Sequence, residues 1–300
     1  MFPLPDPPLY LPLDGGTYRV AAGLRKFGAD CGGGEFDRLV FQFDRTAPAY
    51  LAAKRAVAGA ARKPVWLSLN LPPATAAAMA GFVAGRLAGE HPALFSLDGR
   101  DLACRVTGET VDALDLAAVG LQVQEDFAVV QTDADQQWLA ATHVSFPSGW
   151  APEDKLGLGF AAVHAPVAGI GPVNRRADEL VRVMVNATAG LVRFAWGVTF
   201  DDALDHHPRR HDPRRRPFNP ASPRAFVRVE RQTMWGLPHV GAAVFTIRTY
   251  VYDAADVARD PARRGELARA IESMPPASLE YKGLAASRDA LLAWLHAQPT

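Results

Sequence analysis

Arg228-Val229-Glu230-Arg231-Gln232-Thr233, followed after a short link by Phe245-Thr246-Ile247-Arg248-Thr249-Tyr250, decides how this chain is read. Both segments read as β-strands, and together as a hairpin. Successive strand side chains point to opposite faces. Val227, Val229 and Arg231 therefore share one face, and Phe226, Arg228 and Glu230 the other. Neither face is cleanly apolar or cleanly polar. A buried guanidinium is costly unless it meets an anion or several acceptors. Two readings follow: a hairpin that lines a site, or an edge hairpin carrying surface ion pairs.

The surrounding pattern places this hairpin in an α+β chain. Residues 121–131 and 138–146 read as strands around the turn Asp133-Ala134-Asp135. A helix is expected over 152–165, with Pro152 at its first position and Glu153 and Asp154 in its first turn, where acids favour the helix dipole. A second helix is expected over 175–189, then a strand over 191–200, a charged loop over 201–224, and the hairpin. Strands, helices and strands again make an antiparallel sheet with helices gathered between its halves. Helices are also expected at 48–62 and 73–90, and at 254–273 and 284–296. The first 40 or so residues, rich in Pro and Gly, read as an extended lead-in. Cys31-Gly32-Gly33-Gly34 has the composition of an anion-binding nest but lacks the flanking strand and helix, so a flexible loop is expected.

Composition bounds the function. The chain has 300 residues, 49% hydrophobic and 21% charged, with a formal net charge of zero. Such a chain exerts no long-range field on nucleic acid or an acidic membrane. Two cysteines, Cys31 and Cys104, are too few for a disulfide framework or a cysteine-rich metal cluster. The start carries no signal-like apolar run, and no stretch reaches the length of a membrane span. A cytoplasmic protein is expected. There is no Gly-x-Ser-x-Gly turn and no phosphate loop ending in Gly-Lys-Ser/Thr, which counts against hydrolase and nucleotide-triphosphatase readings.

His164 is the sharpest single residue. On the expected helix, Leu156 and Phe160 precede it on the same face, so it leaves an apolar surface near the helix end. One imidazole in an apolar pocket suits a proximal haem ligand. A core histidine donating to a helix-end carbonyl has the same pattern. Arg231 and Arg248 are natural partners for carboxylates such as haem propionates, or for Glu230 and Asp126 as structural ion pairs. Glu125-Asp126 reads as a cap for the next element or as a holder of a substrate amine. His206, His207 and His211, among Arg209, Arg210, Arg214, Arg215 and Arg216, suggest metal or nucleic acid only superficially. Pro208, Pro213 and Pro217 keep the segment irregular, and a solvated loop or partner contact is expected.

Several separated blocks resemble the α-subunit family of haem-dependent oxidative N-demethylase. They are Gln124-Glu125-Asp126; Phe146-Pro147-Ser148-Gly149-Trp150 with Lys155-Leu156-Gly157; Val163-His164-Ala165-Pro166-Val167; Arg228 to Thr233 with Leu237-Pro238; Phe245 to Tyr250; and Tyr281-Lys282-Gly283. Their order fits the family over about residues 110–285. The resemblance implies a PAS-like fold that holds haem b and activates dioxygen to oxidise a small amine or amino-acid-like substrate. Electrons would come from separate flavin and iron–sulfur partners. It implies a haem-binding core over 111–253, preceded by an N-terminal region over 1–110 and followed by C-terminal helices over 254–300.

On that reading His164 ligates the iron, while Arg231, Arg248 and Trp196 stand by the cofactor. Glu230 and Arg228 are the catalytic candidates, with Glu230 orienting Arg231 or pairing with a cationic amine. The sequence departs from the family pattern at Ala195, where Asn precedes Trp, at Ala168, where a proline is expected, and at Gly236, where an arginine or similar residue is expected. A lost amide near the pocket points to an amine other than dimethylamine. The rival from another class is a haem-based gas sensor or binding module, since fold does not fix function. A subunit that has lost its cofactor is a second rival.

Overall fold

The computed structural model describes residues 3–60, 65–212 and 216–298. The N-terminal region supplies β1 (Arg25–Lys26), α1 (Ala47–Ala60), β2 (Trp66–Ser68) and α2 (Pro73–Glu90). A small antiparallel sheet follows: β3 (Phe95–Asp98), β4 (Asp101–Cys104) and β5 (Glu109–Asp112). Next come α3 (Leu116–Gly120), β6 (Asp126–Thr132), β7 (Gln137–His143), α4 (Phe160–His164), α5 (Gly171–Asn174) and α6 (Ala177–Asn186). Then follow β8 (Leu191–Thr199), β9 (Phe226–Leu237) and β10 (Ala242–Asp253). Helices α7 (Ala254–Ala258), α8 (Pro261–Glu272), α9 (Pro276–Tyr281) and α10 (Arg288–His296) complete the described elements.

The main sheet has seven strands in the order β1-β8-β9-β10-β6-β7-β2, every neighbouring pair antiparallel. The α+β expectation holds, with helices before, within and after the sheet sequence. β9 and β10 pair along their whole lengths, from Phe226↔Asp253 to Leu237↔Ala242. Gly241 closes the hairpin at φ +62, where a Cβ would also stand 3.0 Å from the Thr132 carbonyl oxygen. Because β8 and β6 flank it, the hairpin is central, and the edge-hairpin reading is excluded.

Three expected helices differ in form. The span 152–165 is a 3-10 turn at Pro152–Asp154, then Gly157 at φ +83, then the short α4. The Gly157 N–H bonds to the Leu139 carbonyl of β7, which stops the helix. Leu156 therefore does not share a helix with His164. The span 254–273 divides at Pro261, where the Asp260 carboxylate accepts from the N–H groups of Ala262 and Arg263 and starts α8. In the last span α10 begins only at Arg288. The end of the 48–62 helix, at 61 and 62, lies outside the described residues. The glycine-rich loop is no anion nest, because the N–H groups of Cys31 and Gly33 already bond to the Asp37 carboxylate at 2.8 and 3.1 Å.

One sheet face is closed by the N-terminal region and the C-terminal helices. Val129, Val244, Trp235 and Leu237 pack against Phe41, Phe43, Met79 and Val83. Val227, Val229 and Tyr250 pack against Leu267, Ile271 and Leu291. Arg231 and Arg248 lie inside this layer at 1% and 0% exposure. Arg248 Nη2 donates to Asp44 Oδ2 at 2.8 Å, and its guanidinium stacks over Tyr50 and Tyr250. Arg231 Nη2 donates to the Asp37 carbonyl at 3.3 Å, its plane over Phe27.

Glu125 and Asp126 serve the same layer. Glu125 Oε1 accepts from the Gln42 N–H at 2.8 Å, and burial pushes its carboxyl up to about 7. Asp126 pairs with Lys54 at 3.2 Å and accepts from the Phe146 N–H at 2.7 Å. Both are buried, at 0% and 2% exposure, away from solvent and any incoming amine. Breaking one partner of a buried pair strands the other charge. Asp44→Ala should therefore lower unfolding free energy by about 3–5 kcal/mol in urea titration. A loss below about 1 kcal/mol, typical of exposed pairs, would contradict the placement.

Candidate functional site

The opposite face of the same strands carries a different set. Register places Arg193 beside Gln232, Ala195 beside Glu230, and Gly197 beside Arg228. Across β10, Ile247 and Thr249 join Gln232 and Glu230. Glu230 is the one residue of β9 that is not fully buried. In β10 Phe245 and Ile247 are partly exposed, whereas Val244, Thr246 and Arg248, of opposite parity, are buried. The cover explains this. α6 seals one part of the face, packing Val181, Met184 and Val185 on Met234 and Ala243. α4 and α5 bury none of their residues fully. The middle of a central sheet face is thus left partly open below α4.

His164 ends α4. Its Nδ1 lies 2.8 Å from the Phe160 carbonyl, so Nδ1 carries the proton and donates. Nε2 has no hydrogen bond among the described residues. Burial lowers the imidazole's pKa, and Arg193 and Lys155 push in the same direction. The ring is therefore neutral near pH 7, with a free Nε2 lone pair and a fixed tautomer, the state of a metal-ligating histidine. Its contact with Phe160, at 4.2 Å between centroids, is the part of the expected apolar face that forms.

Two cations flank Glu230, and sequence reading missed both as site residues. Arg193 Nη2 donates to the Ala21 carbonyl at 3.3 Å, but its Nε is buried without a partner. Lys282 Nζ reaches past the short β1 to the Trp196 carbonyl at 2.6 Å, close to Gly197. Burial pushes the Lys282 ammonium down to about 8, with the Glu230 charge opposing. Burial likewise depresses Arg193, again opposed by Glu230. Gln232 Nε2 donates to Glu230 Oε2 at 2.8 Å. His164, Arg193, Glu230 and Lys282 thus form one electrostatically linked series. A lone cation in the otherwise apolar strand 191–199, with the parity of Ala195, was the available signal for Arg193.

The remaining expected site residues fall elsewhere. Arg231 and Arg248 do not stand beside His164, because alternation puts them on the closed face. Trp196 also turns to that face, where its ring meets Tyr18. Only its carbonyl serves the site. Arg228 shares the face of Glu230, but its guanidinium is committed to the fold. Nε donates to Ser148 Oγ at 2.6 Å, Nη1 to the Ala203 carbonyl at 3.2 Å, and Nη2 to those of Phe146 and Leu204 at 2.8 and 2.9 Å. It clamps two loops, with each of its three nitrogens bonded. Ala195 puts a methyl group, not an amide, next to Glu230. Gly236 has a steric reason, since a Cβ there would meet the Val185 carbonyl oxygen at 2.2 Å. An arginine does not fit that contact.

The 201–224 loop is exposed at Arg209, Arg210 and residues 219–224, as its composition suggests, but its first histidines are not solvated. His206 and His207 are 1% and 3% exposed. His207 meets Glu153 at 3.1 Å, and Arg209 bridges Glu153 and Asp154. Pro213, Arg214 and Arg215 lie outside the described residues.

A family model described as haem-dependent oxidative N-demethylase, alpha subunit-like, matches residues 37–292. The chain belongs to that family. Among the described residues, no helix is long and apolar enough to cross a membrane.

The Lys282 site predicts a pH dependence. Between pH 8 and 10.5 the unfolded lysine holds a proton that the folded one has lost, so stability rises with pH across that window. Lys282→Met should flatten the rise and add up to about 3 kcal/mol at pH 7. Parallel wild-type and variant stability profiles from denaturant titration over pH 7–10.5 would contradict the burial of this ammonium beside Glu230.

Proposed function

We propose that this protein is a haem-dependent, oxygen-activating oxidase or monooxygenase acting on a small amine or amino-acid-like substrate. The observation that carries the reading is the free Nε2 of a neutral His164 beside a sheet face left partly open. The residues fit a haem. His164 Nε2 would ligate the iron, and the unpartnered Arg193 Nε suits a propionate. Ala195 and Gly197 put no side chain larger than a methyl group on this face, and Lys282 Nζ stands 3.6 Å from where a Gly197 Cβ would be. The PAS-like assignment is supported by topology: β6 to β10 lie in the order 2-1-5-4-3, with α4–α6 inserted between the second and third. We place the haem-binding core in residues 111–253 and take the group as haem b. When bound, the haem supplies redox chemistry towards dioxygen.

The chain's own residues then bind and orient. Glu230 is the one carboxylate of the linked series, suited to hold a substrate ammonium or to accept its proton. Gln232 fixes its Oε2. Arg193 and Lys282 flank it, Lys282 through its bond to the Trp196 carbonyl. Arg228 positions the loops around it and acts through them. Dimethylamine is the less suited substrate, because Ala195 offers no hydrogen bond beside Glu230. A separate flavin or iron–sulfur reductase would supply electrons.

His164→Ala should abolish haem retention during purification; full occupancy with an unchanged spectrum would remove the ligand assignment. Glu230→Gln should retain haem and lose about 10²–10⁴-fold in amine-dependent oxygen uptake, measured over a panel of amines and amino acids. Unchanged turnover would move the proton-handling role elsewhere. Haem and carbon monoxide binding, with no substrate-dependent uptake across the panel, would favour the gas-binding module.

A further inference from the structure

We propose that Asp201, His206 and His211 form a binding site for a divalent d-block cation, with zinc the best match to the donors. Among the described residues they are the one group whose ligand atoms converge, all within 4.8 Å of one another. Asp201 Oδ1 lies 3.0 Å from His206 Nε2, and Oδ2 lies 3.0 Å from His211 Nε2. The two imidazoles stack at 5.4 Å and 27°. Asp201 and His206 are buried and His211 is half-buried. A tetrahedral zinc about 2.0–2.2 Å from each donor needs them roughly 3.4 Å apart, a small adjustment for a carboxylate and two rings. Two imidazoles and one carboxylate suit zinc or a neighbouring transition metal rather than calcium or magnesium, and leave a fourth position for water.

The site is held by backbone. His206 forms a parallel bridge to Ser148: its N–H donates to the Pro147 carbonyl at 3.1 Å, and its carbonyl accepts from Gly149 at 3.0 Å. The Ala203 N–H donates to Asp201 Oδ1 at 3.0 Å. Without metal, the arrangement is a pair of histidines donating to one carboxylate. Metal takes both Nε2 lone pairs and moves each proton to Nδ1. For His206 this sacrifices no Nδ1 bond, because that buried atom has no partner to begin with. Arg216, 3.7 Å from Asp201 Oδ2, is exposed and gives way to water when a dication arrives. A bound cation would staple the 201–211 segment to the 146–149 loop that Arg228 also clamps. Nothing in this site depends on haem.

The test uses the untagged full chain, stripped with a chelator and titrated with zinc chloride by calorimetry. Asp201→Asn and His211→Ala are the variants, both chosen to keep the buried His206. The wild type should take up one zinc per chain with micromolar or tighter affinity, and its melting temperature should rise with zinc. Each variant should fold, by circular dichroism, and bind zinc roughly tenfold or more weakly. No stoichiometric uptake by the wild type, or uptake unchanged in both folded variants, would overturn the site and leave a hydrogen-bonded tie. Haem content does not enter the readout.

Discussion

Alternation along the two twelve-residue strands is the constraint on which the rest of the structure depends. One hairpin carries Arg228, Glu230, Arg231, Gln232 and Arg248, and the period of two sorts them without exception. Arg231 and Arg248 go to the closed face, Glu230 and Gln232 to the partly open one. Shifting either strand by one residue would exchange the sets, exposing the structural cations and burying the site carboxylate. Full-length pairing of β9 with β10, closed at Gly241, fixes that register.

The closed face shows why its charges belong to the fold. Arg231, Arg248 and Lys54 are buried with Asp37, Asp44, Glu125 and Asp126. Aromatic rings and backbone carbonyls fill much of the remaining coordination. These contacts fasten the segment before residue 55 to the sheet, so the N-terminal layer is held by ion pairs as well as by apolar packing. The other face has the reverse character. Its helical cover is shallow and Ala195 and Gly197 stand on it, whereas buried guanidinium nitrogens without a hydrogen bond occur, among the described residues, on both faces: Arg193 Nε here, and Arg231 Nε and Nη1 and Arg248 Nε on the closed one.

Much of this was legible in the sequence. The strand–helix–strand order, the β9–β10 hairpin and the pairing of Phe160 with His164 on one apolar face follow from periodicity and residue type, whereas the hairpin's central place in the sheet needed the strand order. So did the parity that separates Arg231 from Glu230, although two arginines near in sequence invited grouping by chemistry. Arg248 needed the pairing register, which no local pattern supplies. Gly157 and Gly159 mark the break in the 152–165 helix, yet a favourable proline–acid start outweighed them. β3, β4 and β5 escaped because their short strands are charged and turn-rich, with little alternation to read. The histidine loop was misread for a physical reason: its burial comes from Ser148, Glu153 and Asp201, all distant in sequence or unremarkable beside it.

The most direct measurement is the absorption spectrum of the purified wild-type chain expressed with ample haem supply, recorded oxidised, reduced, and reduced with carbon monoxide. The account predicts a Soret band that shifts on reduction and again with carbon monoxide, as an iron with one protein ligand and one open position requires. A colourless protein that also fails to take up added haemin would contradict it.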